Sequence, residues 1–187
     1  MSRMVYHHES VDRFIVGTVG APGEREFFLQ VQSLDGFHSV AIEKSQVDAL
    51  SQRLRELLRE VRRGKLASLD ELSLPSTRDN APLEFPIDEE FTVGVIGITW
   101  DSEIQRVTID IQGISELPVD DLLTDEEIEL LEDAPDLLRL RLRINQVRSF
   151  CDRADSIISA GRQPCPFCGL PINVDGHLCP RANGYRR

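Results

Sequence analysis

The chain of 187 residues lacks any apolar run near the roughly 18 residues that a membrane-spanning helix requires. The segment from Met1 to His8 also lacks the apolar stretch of a secretory signal peptide. We therefore expect a cytoplasmic protein that does not associate with membranes. In that compartment thiols stay reduced, which favours metal binding over disulfide formation.

Sequence motifs typical of common enzymes are missing as well. The chain contains no GxGxxG, no P-loop, no GxSxG and no HExxH. Charged residues near predicted strand ends, namely Asp12, Arg13, Glu43 and Lys44, form no recognisable catalytic set. An enzyme remains an alternative function, because duplicated folds often bind a ligand in a pocket between their two halves.

Net positive charge is confined to the C-terminal end of the chain. The net charge is −11. Four arginines and one aspartate give residues 161–187 a charge of +3, which leaves −14 for residues 1–160. An acidic body repels a phosphate backbone, so broad nucleic-acid binding is disfavoured. Binding of RNA or DNA through the basic end alone stays open as a second alternative.

Three of the four cysteines lie in the last 23 residues, in the pattern CPFCG followed by HLCP. Cys165 and Cys168 are spaced for one tight turn, and Gly169 can adopt the left-handed backbone that such a turn requires. His177 and Cys179 share one side of an extended segment, because residues two apart point the same way. The four side chains predict a tetrahedral Cys₃His site for Zn²⁺, a C-terminal zinc knuckle.

The spacing of these cysteines argues against two other interpretations. A thioredoxin-like redox pair is disfavoured, since that motif lies at a strand-to-helix junction in a βαβ unit. A catalytic zinc is disfavoured, since it keeps one position open for water and four protein ligands would close it. The one-residue spacer between His177 and Cys179 is shorter than in common zinc fingers.

The chain repeats one order of predicted elements. Three strands after Phe14 are followed by a helix from Gln46 to about Arg62, for which Ser45 is the predicted N-cap. A second set of strands from Phe91 precedes a helix to about Ala160, with Asn145 as its predicted N-cap. The apolar stripes of the two helices are one hundred positions apart and share a Gln-Val pair at their start. We interpret this as a duplicated β-β-β-α unit.

The predicted fold class is α+β, with a mostly antiparallel sheet and two amphipathic helices. Two arrangements are open: one sheet of about six strands with both helices on one face, or two packed sheets. An acidic insertion at 115–136 carries ten carboxylates and, from Thr124, the capping box of a short helix. The predicted units are 1–63, a linker at 64–90, 91–161 and a knuckle with a basic tail at 162–187.

The remaining cysteine and three histidines have milder interpretations. Cys151 lies on the apolar face of the second helix and is expected to be a small buried side chain. His7 and His8 are expected at the surface, as paired histidines near a terminus usually are. His38, at the start of a predicted strand, has no evident partner.

The chain resembles a set of actinobacterial proteins that form a conserved domain of unknown function. The resemblance extends over nearly the whole chain and is carried by these segments: Arg13-Phe14, Gly17 to Gly20, Phe27 to Gln30, Glu43-Lys44, the Gly94 strand with Trp100-Asp101, and the tail from Cys165 to Arg187. It implies no activity. The Cys₃His pattern of the tail matches that of the resembled proteins.

Together these observations predict a zinc-binding protein with a binding or scaffold role. Metal coordination would order a tail that has few apolar side chains of its own. The ordered tail would present Arg181, Arg186 and Arg187 to an acidic partner or to an RNA.

Overall fold

The computed structural model describes residues 3–21, 23–115, 134–160, 164–170, 172 and 178–181. Most of the acidic insertion, including the capping box expected from Thr124, lies outside the described residues, as does His177. None of the described helices combines the length and the apolar character needed to cross a bilayer.

Seven strands form one sheet in the order β1-β7-β6-β5-β4-β3-β2. Their bounds are β1 Val5–His8, β2 Val11–Val19, β3 Glu26–Ser33, β4 Gly36–Ile42, β5 Glu89–Asp101, β6 Arg106–Gly113 and β7 Leu137–Leu142. Neighbouring strands are antiparallel except in two pairs, β1–β7 and β4–β5, which are parallel. The α+β class and the mostly antiparallel sheet are therefore confirmed, and β1 is a strand that the sequence did not predict.

The described part of the chain has three helices beside the sheet: α1 Lys44–Arg63, α2 Leu69–Ser73 and α3 Ile144–Ser159. The long helices α1 and α3 follow β4 and β7, as predicted. The order β-β-β-α thus occurs twice, over β2-β3-β4-α1 and β5-β6-β7-α3. An internal duplication remains a prediction, because two stretches can share an order of elements without a common origin.

The predicted N-caps of the two long helices were wrong by two residues. Ser45 lies inside the first turn of α1, and Glu43 is the N-cap. The side-chain oxygen of Gln46 accepts a hydrogen bond from the Glu43 backbone N–H at 3.0 Å, so a glutamine at the third helical position fixes the start. The second helix repeats this one hundred positions later, with Arg143 as N-cap, Gln146 as acceptor and Asn145 inside the helix.

The sheet curls until its two edges meet. Its outermost strands, β1 and β2, are consecutive in the chain and are separated only by Glu9 and Ser10. An ion pair between Arg141 on β7 and Glu9 lies at the same junction. Strands far apart in the order of the sheet are therefore brought close at this end of the molecule.

Both long helices pack on the inner face of the sheet, where the main core lies. Strand residues of alternating position meet the apolar stripes of α1 and α3 there. Phe14 of β2 and Phe150 of α3 stack with ring centroids 4.6 Å apart. Cys151 is buried in the same core, as expected, and its thiol donates to the Ser51 carbonyl at 3.7 Å. Burial raises the pKa of this thiol to about 11.

Segment 64–90, predicted as a linker, packs on the body of the protein. Leu83 is only 6% exposed and packs with Ile15 and Phe28 on the outer face of the sheet. A Cβ atom added to Gly17 would lie 2.3 Å from Leu83, so the glycine provides the space that the leucine occupies. The segment thereby covers a part of the sheet that would otherwise expose apolar side chains.

We expect the Gly17→Ala substitution to destabilise the protein by about 1–3 kcal/mol, the usual cost of overpacking. Urea unfolding should show a smaller loss when Leu83→Ala is already present, since the clash is then absent. Gly97→Ala is the matched control, because its added Cβ would meet only ordinary contacts, the nearest at 3.7 Å. Equal losses at Gly17 with and without Leu83 would contradict the proposed contact.

Candidate metal centre

Three cysteine thiols converge at the C-terminal end of the described chain. The sulfur atoms of Cys165, Cys168 and Cys179 all lie within 4.8 Å of one another. The Cys165 and Cys179 sulfurs are 3.7 Å apart. Two thiolates bound tetrahedrally to zinc at about 2.3 Å would be separated by roughly 3.8 Å. The thiols are therefore placed as one metal ion would require, and they can hold a metal ion.

The CPFCG turn sets this geometry. The Gly169 backbone N–H donates to the Cys165 carbonyl at 2.8 Å, and Gly169 has a φ of +76°, where glycine avoids the strain of a Cβ atom. The Cys165 N–H donates to the Leu170 carbonyl at 2.8 Å, which closes the turn. The Phe167 N–H points at the Cys165 sulfur at 3.5 Å. The turn thus brings two sulfurs together and directs an amide dipole at one of them.

These contacts shift the pKa values of the Cys165 and Cys168 thiols in opposite directions. Burial opposes ionisation of Cys165, but hydrogen bonds from the Cys168 and Phe167 amides outweigh it and lower the pKa of the Cys165 thiol. Burial raises the pKa of Cys168, and the neighbouring sulfurs of Cys179 and Cys165 raise it further. A cation at the centre of the cluster would favour the thiolate form of all three, since metal ligation requires deprotonated sulfur.

The fourth predicted ligand, His177, lies outside the described residues, so the complete Cys₃His set stays a prediction. Of the three arginines Arg181, Arg186 and Arg187, the structure describes Arg181. Its guanidinium donates to the Phe167 carbonyl at 3.2 Å. The cysteine turn and the beginning of the basic tail are thereby joined.

The charged residues considered for an enzyme are not brought together. Asp12 and Arg13 lie on β2 beside α3, where Arg13 donates to Asp79 at 2.6 Å. Glu43 is the N-cap of α1, and Lys44 is the exposed first residue of that helix. These pairs line different clefts. Among the residues that the structure describes, we find no nucleophile with a neighbouring base in either cleft.

A second polar cluster lies where the sheet edges meet, and sequence reasoning missed it. His8 is 1% exposed, which contradicts the expected surface position, although His7 is exposed. The His8 Nδ1 atom lies 2.6 Å from the Ser33 hydroxyl oxygen. Its Nε2 atom lies 2.9 Å from Nδ1 of His38, which therefore does have a partner. The curling of the sheet causes this contact, because it places β1 beside the far ends of β3 and β4.

Charged and aromatic groups surround the two imidazoles. The Tyr6 ring packs on His38, and its hydroxyl donates to Glu90 at 2.8 Å. Burial and this carboxylate raise the pKa of Tyr6 to about 12. Burial lowers the pKa of His8, as does the His38 imidazole, and the opposing effect of Asp35 is smaller. Burial also lowers the pKa of His38, and the smaller effect of the Glu90 carboxylate raises it.

The two imidazoles should make the stability of the protein depend on pH. Folding lowers their pKa below the ordinary 6.5, so below that pH the unfolded chain binds more protons and acid favours unfolding. We expect the free energy of unfolding from urea titrations to fall between about pH 7.5 and about pH 5.5, above the range where carboxylates titrate.

His8→Gln should make this dependence on pH shallower, since it removes one imidazole and the contact to the other. His7→Gln places the same substitution at the exposed neighbouring position and should alter the dependence much less, because His7 makes the smallest contribution to the lowered pKa of His8. An unfolding free energy that is flat over this range in the parent protein would contradict the assignment, as would an equal effect of the two substitutions.

Comparison with known proteins places this architecture in a described family. Residues 6–179 match the family model DUF3090, described as a protein of unknown function. No curated protein and no solved structure matches the chain. The match includes Cys165, Cys168 and Cys179 as well as the whole sheet except Val5, the first residue of β1. The chain belongs to the DUF3090 family of proteins of unknown function.

Proposed function

We propose that this protein is a cytoplasmic zinc-binding protein whose C-terminal knuckle orders a basic tail for binding to a protein partner. The observation that carries the proposal is the convergence of three thiols within 4.8 Å, with one sulfur pair at the spacing expected for tetrahedral zinc. Zinc is favoured over other metals because soft thiolate ligands in a tetrahedral arrangement suit it.

A structural zinc is favoured over a catalytic one. Cys165, Cys168 and Cys179 would provide three ligands, and His177, two positions before Cys179 in the sequence, would be the fourth. Four protein ligands leave no open position for water, which a hydrolytic zinc requires. The CPFCG turn also contributes few apolar contacts, since Phe167 and Leu170 are exposed. Coordination would therefore supply much of the free energy that orders the tail.

The partner is proposed to be acidic and to bind the tail rather than the body. Residues 161–187 carry a net charge of +3, whereas residues 1–160 carry −14. Arg181 contacts the carbonyl of Phe167 in the cysteine turn, so metal binding and presentation of the first tail arginine are coupled. The acidic body would repel nucleic acid, which favours an acidic protein surface over RNA or DNA.

The proposal for the body is an internal duplication of the β-β-β-α unit. Gln46 and Gln146 each accept from the backbone N–H three residues earlier. Each also donates from its amide to a backbone carbonyl at the first strand of the other unit: Gln46 to Val93, and Gln146 to Val11. A shared origin of the two units explains why one unusual pair of contacts occurs in both.

Zinc binding predicts about one zinc ion per chain in protein purified under reducing conditions. Metal analysis of the full chain should show loss of zinc in Cys165→Ser, because one thiolate ligand is removed. Cys151→Ser is the matched control and should retain zinc, since Cys151 lies in the core beside Ser51 and away from the cluster. Co²⁺ substitution should give the absorption bands of a tetrahedral Cys₃His site, altered by His177→Ala.

Purified protein without metal, or equal zinc content in the parent and in Cys165→Ser, would refute the proposed centre. If the cobalt bands do not respond to His177→Ala, the thiolate site is supported and His177 is not one of its ligands.

Partner binding should require the ordered tail. We expect a protein captured by the zinc-loaded chain to be lost after chelation and after replacement of Arg186 and Arg187 by alanine. Glu60→Ala on α1 serves as a control at an exposed site of the body. If the captured partner were nucleic acid, retention would fall steeply with salt, with a slope of about 0.9 per neutralised phosphate on a log–log scale. Capture that survives chelation unchanged would contradict the proposed role of the knuckle.

A further inference from the structure

One helix of the pair is covered by an extended segment of the chain. Residues 75–81 run along α3 and bond to three of its residues, each separated from the next by about one turn. The Asn145 amide donates to the Pro75 carbonyl at 3.2 Å, and the Ser149 hydroxyl donates to the Thr77 carbonyl at 2.6 Å. Arg153 completes the row further along the same face. The side chains of α3 therefore bind this segment mainly through its backbone carbonyls.

Arg153 anchors this segment in the groove between α3 and β2. Its Nε atom donates to the Val16 carbonyl at 2.6 Å, and its Nη1 atom donates to the carbonyls of Asp79 and Ala81 at 2.6 and 2.8 Å. Arg153 is 7% exposed, and the carboxylate of Asp79 lies beside it and bonds to Arg13. Side chains of α3 thus hold the extended segment by four of its backbone carbonyls, and the Asp79 carboxylate adds an ion pair.

In the part of the chain that the structure describes, no segment covers the same face of the other long helix. Counting back one hundred positions gives Ser45, Ala49 and Arg53 on α1, and all three are exposed. A cleft of about 300 Å³ lies between α1 and β5, lined by Gln46, Ala49, Leu50, Arg53, Gly94, Ile96 and Ile98. The side chain of Arg53 is 61% exposed and has an ion pair only with Glu56 of its own helix, within the part of the chain that is described.

The two grooves are built alike. Gln46 of α1 donates to the carbonyls of Val93 and Gly94 on β5, as Gln146 of α3 donates to the carbonyl of Val11 on β2. Each helix is thus tied at its start to the strand that forms the other wall of its groove. Among the described residues, the two grooves differ in occupancy, since segment 75–81 fills only the one beside α3.

We propose that the groove between α1 and β5 binds an extended peptide segment of a partner protein, with a carboxylate of that segment paired to Arg53. Charge complementarity favours an acidic residue at that position, as Asp79 shows beside Arg153. The half-buried faces of Ile96 and Ile98 would be covered by small apolar side chains of the peptide. A second copy of the chain cannot readily supply the peptide from its own 75–81, because that segment is bound to its own α3.

This proposal is independent of the zinc centre. The groove is formed by α1 and β5, whereas the cysteine cluster lies beyond α3 at residues 165–179. Loss of metal should leave peptide binding in the groove unchanged, so failure of either proposal is recognisable without the other.

The test uses a synthetic peptide with the sequence of residues 74–83, added to the isotopically labelled full chain and followed by NMR. We expect amide shifts at Ala49, Arg53, Ile96 and Ile98 that saturate with peptide. Arg53→Gln should weaken binding by about fivefold or more, because it removes a charge-assisted contact. Arg59→Gln is the matched control on a different face of α1 and should bind as the parent does.

A peptide carrying Asp79→Asn separates the proposed contact from nonspecific binding. The parent protein should prefer the aspartate peptide, and Arg53→Gln should bind both peptides equally, since their pairing is then absent. Absence of saturable shifts at millimolar peptide would overturn the proposal. Shifts confined to Ser149 and Arg153, which mean exchange with the chain's own segment, would overturn it as well.

Discussion

The bonds of the buried Arg153 guanidinium tie together parts of the fold that are distant in sequence. A charge held at 7% exposure is costly unless its donors are satisfied and a counter-charge lies near. Carbonyls of β2 and of segment 75–81 satisfy the donors, and Asp79 supplies the charge. Burial lowers the pKa of Arg153, and Arg13 in turn lowers the pKa of Asp79, so this carboxylate stays ionised beside both arginines. A segment with the composition of a linker is thereby fixed on the second helix.

Local patterns predicted the elements well, because periodicity reports which side of a strand or helix is buried. The stripes that include Val47 and Val147 gave both long helices and their common face. The caps failed because Ser45 and Asn145 are good cap residues by type, whereas the observed start depends on a glutamine three residues after the cap. Strand β1 was not predicted for another reason: its four residues at a sheet edge form too short a pattern to be recognised.

The two candidate sites also differ in how far the sequence could predict them, because one depends on local spacing and the other on long-range contacts. The three cysteines could be grouped from spacing alone, because the two in CPFCG share one turn and the third follows within fifteen positions. The contact between His8 and His38 joins residues thirty positions apart. It depends on the parallel pairing of β1 with β7 and on the meeting of the sheet edges. No spacing rule contains that information, so both histidines looked like isolated side chains.

The positions at which the two β-β-β-α stretches differ point to where this protein carries a function. Ser51 and Cys151 occupy like positions in the shared core, but the Cys151 thiol donates to the Ser51 carbonyl and the Ser51 hydroxyl donates to Asp155. Arg53 and Arg153 occupy like positions on their helices, yet one is 61% exposed and the other is bound to a peptide segment of the chain. The arginine is buried on one helix and exposed on the other. Packing alone does not explain the exposed one, because an exposed arginine at such a position contributes little to stability. Binding of an external segment gives that arginine the role that its counterpart already has.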